Sequence, residues 1–181
     1  FLLKTVLVIS SKTNSITNEY IQLYNEIAEN SVDSSISVKP THIGLDISID
    51  LALKNFKKII NKASKSSNFL RIDMESSKNT DSTFKIYDDL FKIYSKVGVV
   101  LQAYLKRSVA DIEMLAGPGF NARICKGIYK EDKNIAYQNP EDIRKNFLAI
   151  AKIMLAKNYY ACYATHYLQL IDDIISLTND M

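Results

Sequence analysis

Cysteine is scarce in this chain, with only Cys125 and Cys162, and both lie in apolar runs typical of strands. Two thiols do not make a disulfide framework, and their setting indicates reduced, buried cysteines of a cytosolic or matrix protein. No apolar run reaches the ~18 residues of a membrane-spanning helix, so no transmembrane segment is predicted. The opening FLLKTVLVIS lacks the basic start and the small-residue cleavage site of a secretory signal, and we interpret it as a strand.

Several motifs are also absent. The net charge is +3, but no run of basic residues stands out, which disfavours nucleic-acid binding. GxSxG, HExxH and CxxC do not occur, and the two histidines, His42 and His166, lack the ligand spacing of a metal site. No glycine-rich phosphate loop follows the first predicted strand, and no Pro/Gly/Ser-rich linker separates two domains. We therefore expect a single domain without a metal site. A nucleotide-binding doubly wound sheet is disfavoured as its fold.

Strand-like and helical patterns alternate along the chain with a period of about 30 residues, as in repeated βα units. Six predicted strands lie in TVLVIS, ISVKPTHIG, NFLRIDME, GVVLQAYL, NARICKGIY and NYYACYATH. Their apolar cores indicate a parallel sheet covered by helices. Because a (β/α)₈ barrel needs about 250 residues, we predict an α/β fold, a TIM-like (β/α)₈ barrel truncated to about six βα units. Residues 1–181 would be one incomplete domain, a piece of a longer protein.

Polar side chains are concentrated at the ends of the predicted strands, where barrels place their active sites. Arg71, Asp73 and Glu75 alternate with apolar residues and should share the inner face of the third predicted strand. Arg123 on the fifth is a natural partner for Asp73 or Glu75. A structural ion-pair network inside the barrel is one interpretation of these charges. Polar residues on five strand ends favour the other, a functional site.

Four segments carry a resemblance to a known family: LRIDMESS (70–77), GVVLQAYLKRS (98–108), RICKGIY (123–129) and ATH (164–166), joined by VKPTHIGLDIS (38–48). In order and spacing they resemble the proline dehydrogenases. The resemblance implies a distorted (β/α)₈ barrel that holds FAD and oxidises L-proline to Δ1-pyrroline-5-carboxylate. A hydride would pass from proline C5 to the flavin N5, and the electrons then to a quinone. It also implies the bacterial cytoplasm, with peripheral contact at the inner membrane, or the matrix side in a mitochondrion.

The same resemblance assigns roles by position. Asp73 would be the active-site aspartate, and Arg123 the cation near the flavin N5 that favours the anion formed there. Lys39 would hold the proline carboxylate, and Tyr129 would lie near the substrate. The expected FAD contacts are Met74, Gln102, Arg123, Lys126, Gly127, Ile128, Thr165 and His166.

The chain departs from the family pattern at several points. Ser10 and Ser11 stand where the first strand usually ends in Gly-Glu, Tyr167 replaces an Asn or Asp after the histidine, and Cys125 replaces an aliphatic residue. The family's last helix, with two arginines and a tyrosine for the substrate, would follow Met181. Two alternatives are a degenerate, non-catalytic barrel that binds a ligand or partner, and a Schiff-base lyase using a strand-end lysine, Lys39 or Lys126.

The stretch NARICKGIYK poses a geometric question. On a flat strand Arg123 and Lys126, three residues apart, point to opposite faces, whereas the resemblance brings both to one FAD. A glycine at a strand end permits a bulge or bend. We therefore expect Gly127 to re-aim Lys126 and to let the backbone approach the cofactor closely.

Overall fold

The structure is a computed structural model that describes the backbone of residues 2–179 and the side chains of residues 11–179. Its contacts divide the chain into two compact units. The first comprises the chain up to Glu75 together with Asn79–Gly98, and the second comprises Ser76–Lys78 and the chain from Val99 onward.

The first unit is built from three helices and two complete strands. Its elements are α1 (Leu2–Glu29), β1 (Ile36–Val38), α2 (Ile49–Ala63), β2 (Leu70–Ile72), α3 (Thr80–Phe91) and the start of β3 (Val97–Gln102). A short 3-10 turn, Pro40–Ile43, follows β1. The buried face of α2 includes Phe56 and Ile59, both without exposed surface.

The second unit continues the same alternation. Its elements are the rest of β3, α4 (Ser108–Leu115), β4 (Asn121–Cys125), α5 (Pro140–Ala156), β5 (Tyr160–Ala164) and α6 (Leu168–Asn179). The α5 helix begins as the sequence predicts. Asn139 Oδ1 accepts a hydrogen bond from the Glu141 N–H at 2.8 Å, and Pro140 occupies the first helical position. The buried face of α5 includes Phe147 and Ile150.

All strand pairs are parallel, and the strand order is β1-β2-β3-β4-β5. Parallel neighbours need a crossover, and a helix supplies it here between successive strands. The parallel α/β architecture predicted from the sequence is therefore confirmed. The carboxyl ends of neighbouring strands lie at one edge, which positions the side chains discussed below.

The first predicted strand is wrong. TVLVIS lies inside α1, which is continuous from Leu2 to Glu29. A short β-branched run cannot be told from a helical segment by its periodicity alone. The chain has no proline before Pro40 and no glycine before Gly44 to interrupt a helix. Thr17 is buried within α1, where its Oγ1 donates to the Thr13 carbonyl oxygen at 2.7 Å.

Two further expectations change with this result. The described residues contain five strands and six α-helices rather than six βα units that each begin with a strand. Ser10 and Ser11 do not end a strand, so their comparison with a strand-terminal Gly-Glu pair no longer applies. Cys125 is half-buried and Cys162 is exposed, so the expectation of two buried thiols is also wrong.

Candidate functional site

In the first unit, Asp73 lies just beyond the carboxyl end of β2. Its N–H donates to the Val38 carbonyl oxygen at 2.9 Å, which extends the β1–β2 pairing past the last residue of β2. The Ser37 Oγ on β1 donates to Asp73 Oδ1 at 2.8 Å. This hydrogen bond fixes the orientation of the carboxylate. Asp73 is thus a half-buried acceptor held at the strand edge.

Arg71 shares the inner face of β2, as the alternation predicts. It is only 8% exposed, and its guanidinium carbon lies 4.8 Å from the centroid of the Phe69 ring. A cation over an aromatic face is stabilised by the ring quadrupole. The Phe69 ring, two residues away on the same face, therefore offsets part of the free-energy cost of burying the charge of Arg71.

Glu75 is 7% exposed, and both of its oxygens accept hydrogen bonds from Thr41. The Thr41 N–H donates to Oε2 at 2.9 Å, and the Thr41 Oγ1 donates to Oε1 at 2.7 Å. Sequence reasoning offered Glu75 as a partner of Arg123 and did not foresee Thr41. Pairing of Arg123 with Asp73 or Glu75 stays a prediction.

Lys39 is half-buried and occupies the position just before the 3-10 turn Pro40–Ile43. Tyr20 of α1 faces the same place, since the Lys39 backbone lies beside its hydroxyl. Burial raises the pKa of Tyr20 and outweighs the opposing hydrogen bond with the Lys39 backbone, and the nearby charges of Asp73, Glu19 and Glu75 each add a smaller increase. A helix that covers the strands thereby contributes a phenol to the surroundings of Lys39, Asp73 and Glu75.

In the second unit, Gln102 ends β3 with a tightly held backbone. Its carbonyl oxygen accepts from Ser108 Oγ at 2.6 Å and from the Leu105 N–H at 3.1 Å. Asn146 of α5 fixes the turn that follows, since its Nδ2 donates to the carbonyl oxygens of Ala103 and Leu105 at 2.7 and 3.2 Å. The Gln102 side chain is 3% exposed, yet its Oε1 has no hydrogen-bond partner among the described residues.

Arg123 on β4 faces the same side of the sheet as Gln102. The register pairs Val100 with Arg123 and Gln102 with Cys125, and paired residues of parallel strands point the same way. Arg123 is half-buried, and the neighbouring position on β5 is the exposed Cys162. The structure therefore brings two predicted flavin contacts, Gln102 at the end of β3 and Arg123 in the middle of β4, to one face of the sheet.

Lys126 follows Cys125, the last residue of β4, and its side chain is exposed. Its carbonyl oxygen accepts from the Tyr104 N–H at 2.8 Å, and the chain turns at Gly127, where φ is +100°. The expectation that Gly127 re-aims Lys126 toward the face of Arg123 stays a prediction.

Gly127 is packed against Tyr104. A Cβ placed on Gly127 would lie 2.1 Å from Cδ1 of the Tyr104 ring. This ring, only 6% exposed, makes the close backbone approach for which the sequence suggested a cofactor. Burial raises the pKa of the Tyr104 hydroxyl to about 12, with a smaller contribution from the nearby charge of Glu131.

Lys126 and Thr165 line one cavity of about 240 Å³ with side chains of α5 and α6. The other lining residues are Pro140, Ile143, Arg144, Phe147, Tyr167 and Leu170. Arg144 donates to Glu141 and to Asp173, which ties α5 to α6 at the cavity wall. The cavity thus combines an apolar floor with two cationic groups.

The remaining predicted residues differ in exposure. Met74 is buried at 7%, Tyr129 is half-buried, and His166 is exposed. Ile128 is 89% exposed and is the most exposed large apolar side chain among the described residues. Their roles toward a cofactor or substrate stay predictions.

Glu131 makes a contact of the same kind as Glu75, and sequence reasoning missed it. The Ser77 N–H donates to Glu131 Oε1 at 2.7 Å, and the Ser77 Oγ donates to Oε2 at 2.6 Å. The available signal was a Ser or Thr directly after a strand end, with a glutamate after another strand. Such a pattern does not identify which residue pairs with the glutamate, because Ser77 and Glu131 are 54 positions apart.

Within the described part of the chain, no helix has both the length and the apolar character needed to cross a bilayer. Over the same residues, no three His, Cys, Asp or Glu side chains are grouped so that they could hold a metal ion.

The parallel strands and the helices between them define an α/β protein, and each of its two units carries polar side chains on or just beyond its strands. This is the fold of a group of solved structures. The chain matches proline utilization A from Bdellovibrio bacteriovorus, a structure described as inactivated by N-propargylglycine, with a TM-score of 0.84 and 18% identity over 94% of this chain and 23% of that one. The match to the Bradyrhizobium japonicum protein has a TM-score of 0.83 and 16% identity, over 95% and 22%.

The sequence comparisons agree. A model described as proline dehydrogenase matches residues 2–181. The chain is 37% identical to proline dehydrogenase 2 of Bacillus subtilis over 86% of this chain and 52% of the relative, and 30% identical to the Deinococcus radiodurans proline dehydrogenase over 91% and 54%. The chain belongs to the proline dehydrogenase family. It spans about half the length of the curated relatives that it matches.

Proposed function

We propose that this chain is part of a flavoenzyme that oxidises L-proline to Δ1-pyrroline-5-carboxylate. The observation that carries the proposal is the buried Gln102 Oε1, which has no partner among the described residues at the carboxyl end of β3. A buried amide oxygen without a partner costs about 1–3 kcal/mol. Such an atom is stabilised when a ligand donates to it, and the N–H of a flavin ring is a donor of the right kind.

The surroundings of Gln102 fit FAD. Arg123 supplies a cation on the same face, where it would favour negative charge on a bound ring. Lys126 and Thr165 line the cavity of about 240 Å³, where an ammonium and a hydroxyl suit an anionic part of the cofactor. FAD, when bound, supplies the hydride acceptor. Met74, Gly127, Ile128 and His166 are proposed as further contacts.

Two of the proposed substrate groups lie in the first unit. Lys39, just past β1, presents an ammonium that would hold the proline carboxylate. Asp73, just past β2, is oriented by Ser37 and would act as the active-site carboxylate. Tyr129, which belongs to the second unit, is proposed to lie near the proline ring.

The proposal extends to the whole protein. Residues 1–181 would form one incomplete barrel domain whose remaining strands and last helix complete the substrate site. The electron acceptor would be a quinone, reached from the bacterial cytoplasm by peripheral contact with the inner membrane. The relatives' names support proline as the substrate.

The test uses the full-length protein. Flavin absorbance should survive purification or reconstitution with FAD, and L-proline should bleach it in the absence of oxygen. A protein that acquires no flavin under either condition would refute the proposal. A protein that holds flavin but reacts equally slowly with proline and with buffer would be the non-catalytic barrel.

Replacement of Gln102 tests whether its side-chain oxygen accepts a hydrogen bond from the flavin. Gln102→Met keeps the length of the side chain and removes the unpaired amide, so the apoprotein should be as stable as the wild type or more stable, while FAD binds about tenfold more weakly. The control is Gln22→Met on the exposed face of α1, which should change neither quantity. Unchanged FAD affinity in Gln102→Met would contradict the assigned contact.

The Schiff-base alternative gains little from the geometry. An imine-forming lysine is activated by burial or by a neighbouring cation, whereas Lys126 is exposed and Lys39 is half-buried. Borohydride trapping with a carbonyl substrate would detect an adduct if this chemistry occurred.

A further inference from the structure

The 3-10 turn after β1 cannot satisfy its own first amide. Pro40, at the first position, has no N–H, and the His42 N–H bonds back to the Lys39 carbonyl oxygen at 3.1 Å. Lys39 stands at the capping position, and its side chain makes no capping hydrogen bond. The Thr41 N–H therefore needs an acceptor from elsewhere in the chain.

Glu75 supplies that acceptor from the segment after β2. Its Oε2 receives the Thr41 N–H at 2.9 Å, and its Oε1 receives the Thr41 hydroxyl at 2.7 Å. Bonds to an ionised acceptor are stronger than neutral ones, and a carboxylate at the start of a helical turn is also favoured by the peptide dipoles. The carboxylate is almost fully buried, so water cannot easily replace Thr41.

This geometry makes Glu75 a residue that acts through others. Both oxygens are engaged by the turn, so the carboxylate is not poised to take a proton from a substrate. What it holds is the turn that begins at Pro40, directly after Lys39. The Tyr20 hydroxyl lies beside the Lys39 backbone and gives a second contact at the same place.

We propose that Glu75 is a positioning residue that fixes the Pro40–Ile43 turn through Thr41, and thereby sets the place of Lys39 for the carboxylate of the substrate. The inference rests on the proposed function, since it assigns the ammonium of Lys39 to that carboxylate. Replacement of Glu75 should therefore weaken binding of the substrate carboxylate. Chemistry at the proline ring should be affected much less.

The experiment uses the full-length flavoprotein and three variants. Glu75→Gln removes the charge and leaves one acceptor, Thr41→Val removes the hydroxyl and keeps the shape, and Thr41→Ser keeps both donors. Glu75→Gln should raise KM for L-proline about tenfold with kcat within about twofold, and Thr41→Val should raise KM by a smaller factor. Thr41→Ser should match the wild type. Glu113→Gln, on the exposed side of α4, is the matched control and should change nothing.

A second readout does not depend on turnover. Cyclopentanecarboxylate has the ring and the carboxylate of proline but no ring nitrogen. Its dissociation constant, from calorimetry or the shift of flavin absorbance, should rise by the same factor as KM. The double variant of Glu75→Gln and Thr41→Val should weaken its binding by less than the product of the two single effects, because both changes act on one shared contact.

The outcomes separate the two proposals. A wild-type protein that oxidises proline, with folded variants of unchanged KM and unchanged carboxylate affinity, overturns the positioning role alone. A fall in kcat with unchanged KM overturns it in favour of a catalytic role. A wild-type protein without flavin or proline turnover overturns the proposed function, and this inference with it. If Glu75→Gln does not fold, the comparison of Thr41→Val with Thr41→Ser decides the question.

Discussion

Replacement of Gly127 by alanine tests the packing at the end of β4. The new Cβ would lie 2.1, 2.4 and 2.6 Å from Cδ1, Cε1 and Cγ of Tyr104, all atoms of one rigid ring. Because that ring is 6% exposed, it cannot swing into solvent. Overpacking of this kind costs about 1–3 kcal/mol. A side chain at φ +100° adds about 1–2 kcal/mol of backbone strain.

Overpacking and backbone strain together should lower the free energy of unfolding of Gly127→Ala by about 2–5 kcal/mol. This is a large part of the ~5–15 kcal/mol by which a typical domain is stable. Urea unfolding followed by circular dichroism would measure it in the full-length protein. Gly117→Ala is the matched control, since a Cβ there meets no atom within 4 Å and Gly117 is not among the glycines with positive φ. It should leave stability unchanged or raise it by about 0.4–1 kcal/mol.

A double variant separates the two causes. Tyr104→Ala removes the ring, so Gly127→Ala should cost at least about 1 kcal/mol less in that background than alone. The remaining cost is the backbone strain. If Gly127→Ala and Gly117→Ala have the same unfolding midpoint, the close packing of Tyr104 on Gly127 does not exist in solution.

Three further predictions concern stability. Asn139→Ala should lower the free energy of unfolding by about 1 kcal/mol in urea titration, because α5 loses its capping acceptor. Phe147→Ala should cost about 3–5 kcal/mol by the same measurement, since the side chain is 1% exposed. Burial raises the pKa of Tyr87 and of Tyr104 to about 12, whereas an unfolded tyrosine ionises near 10. The unfolded chain therefore loses protons that the fold retains, and stability should fall as the pH rises from about 10 to about 12.

Each of these has a control. Asn139→Asp keeps an acceptor at the helix start and should restore the stability lost in Asn139→Ala. Lys152→Ala, on the exposed side of α5, should stay within about 0.5 kcal/mol of the wild type. Tyrosinate absorbance of the native protein should show late-ionising phenols, Tyr87 and Tyr104 among them, and after unfolding these should titrate near 10. A native protein whose tyrosines all titrate near 10 would show that the burial argument is wrong.

The helix α5 shows what sequence reasoning predicts well. Asn139, Pro140 and Glu141 act within one turn of each other, so their residue types decide the start of the helix almost independently of the rest of the chain. The same reasoning fails for TVLVIS, because a short apolar run suits a strand and a buried helix equally. There the continuity of α1 prevails over the β-branched residues.

The candidate site was likewise predictable from the sequence only in part. The alternation of Arg71 and Asp73 on one face of β2 follows from the period of a strand, and it was predicted. The partners of those groups were not, because Ser37 and Asp73 are 36 positions apart and Thr41 and Glu75 are 34 apart. Gly127 was predicted as a site of close approach, but the group that approaches it is Tyr104.

The sequence alone determined the alternating α/β pattern, the parallel sheet and the family, because local propensities, strand periodicity and ordered motifs are all written along the chain. Tertiary structure decided which cavity Lys126 lines, which acceptor completes the turn after Lys39, and that the side-chain oxygen of Gln102 is buried without a partner among the described residues. The physical reason is that these are questions of hydrogen-bond satisfaction and packing between segments. Strand pairing sets their distances, and no local pattern encodes them.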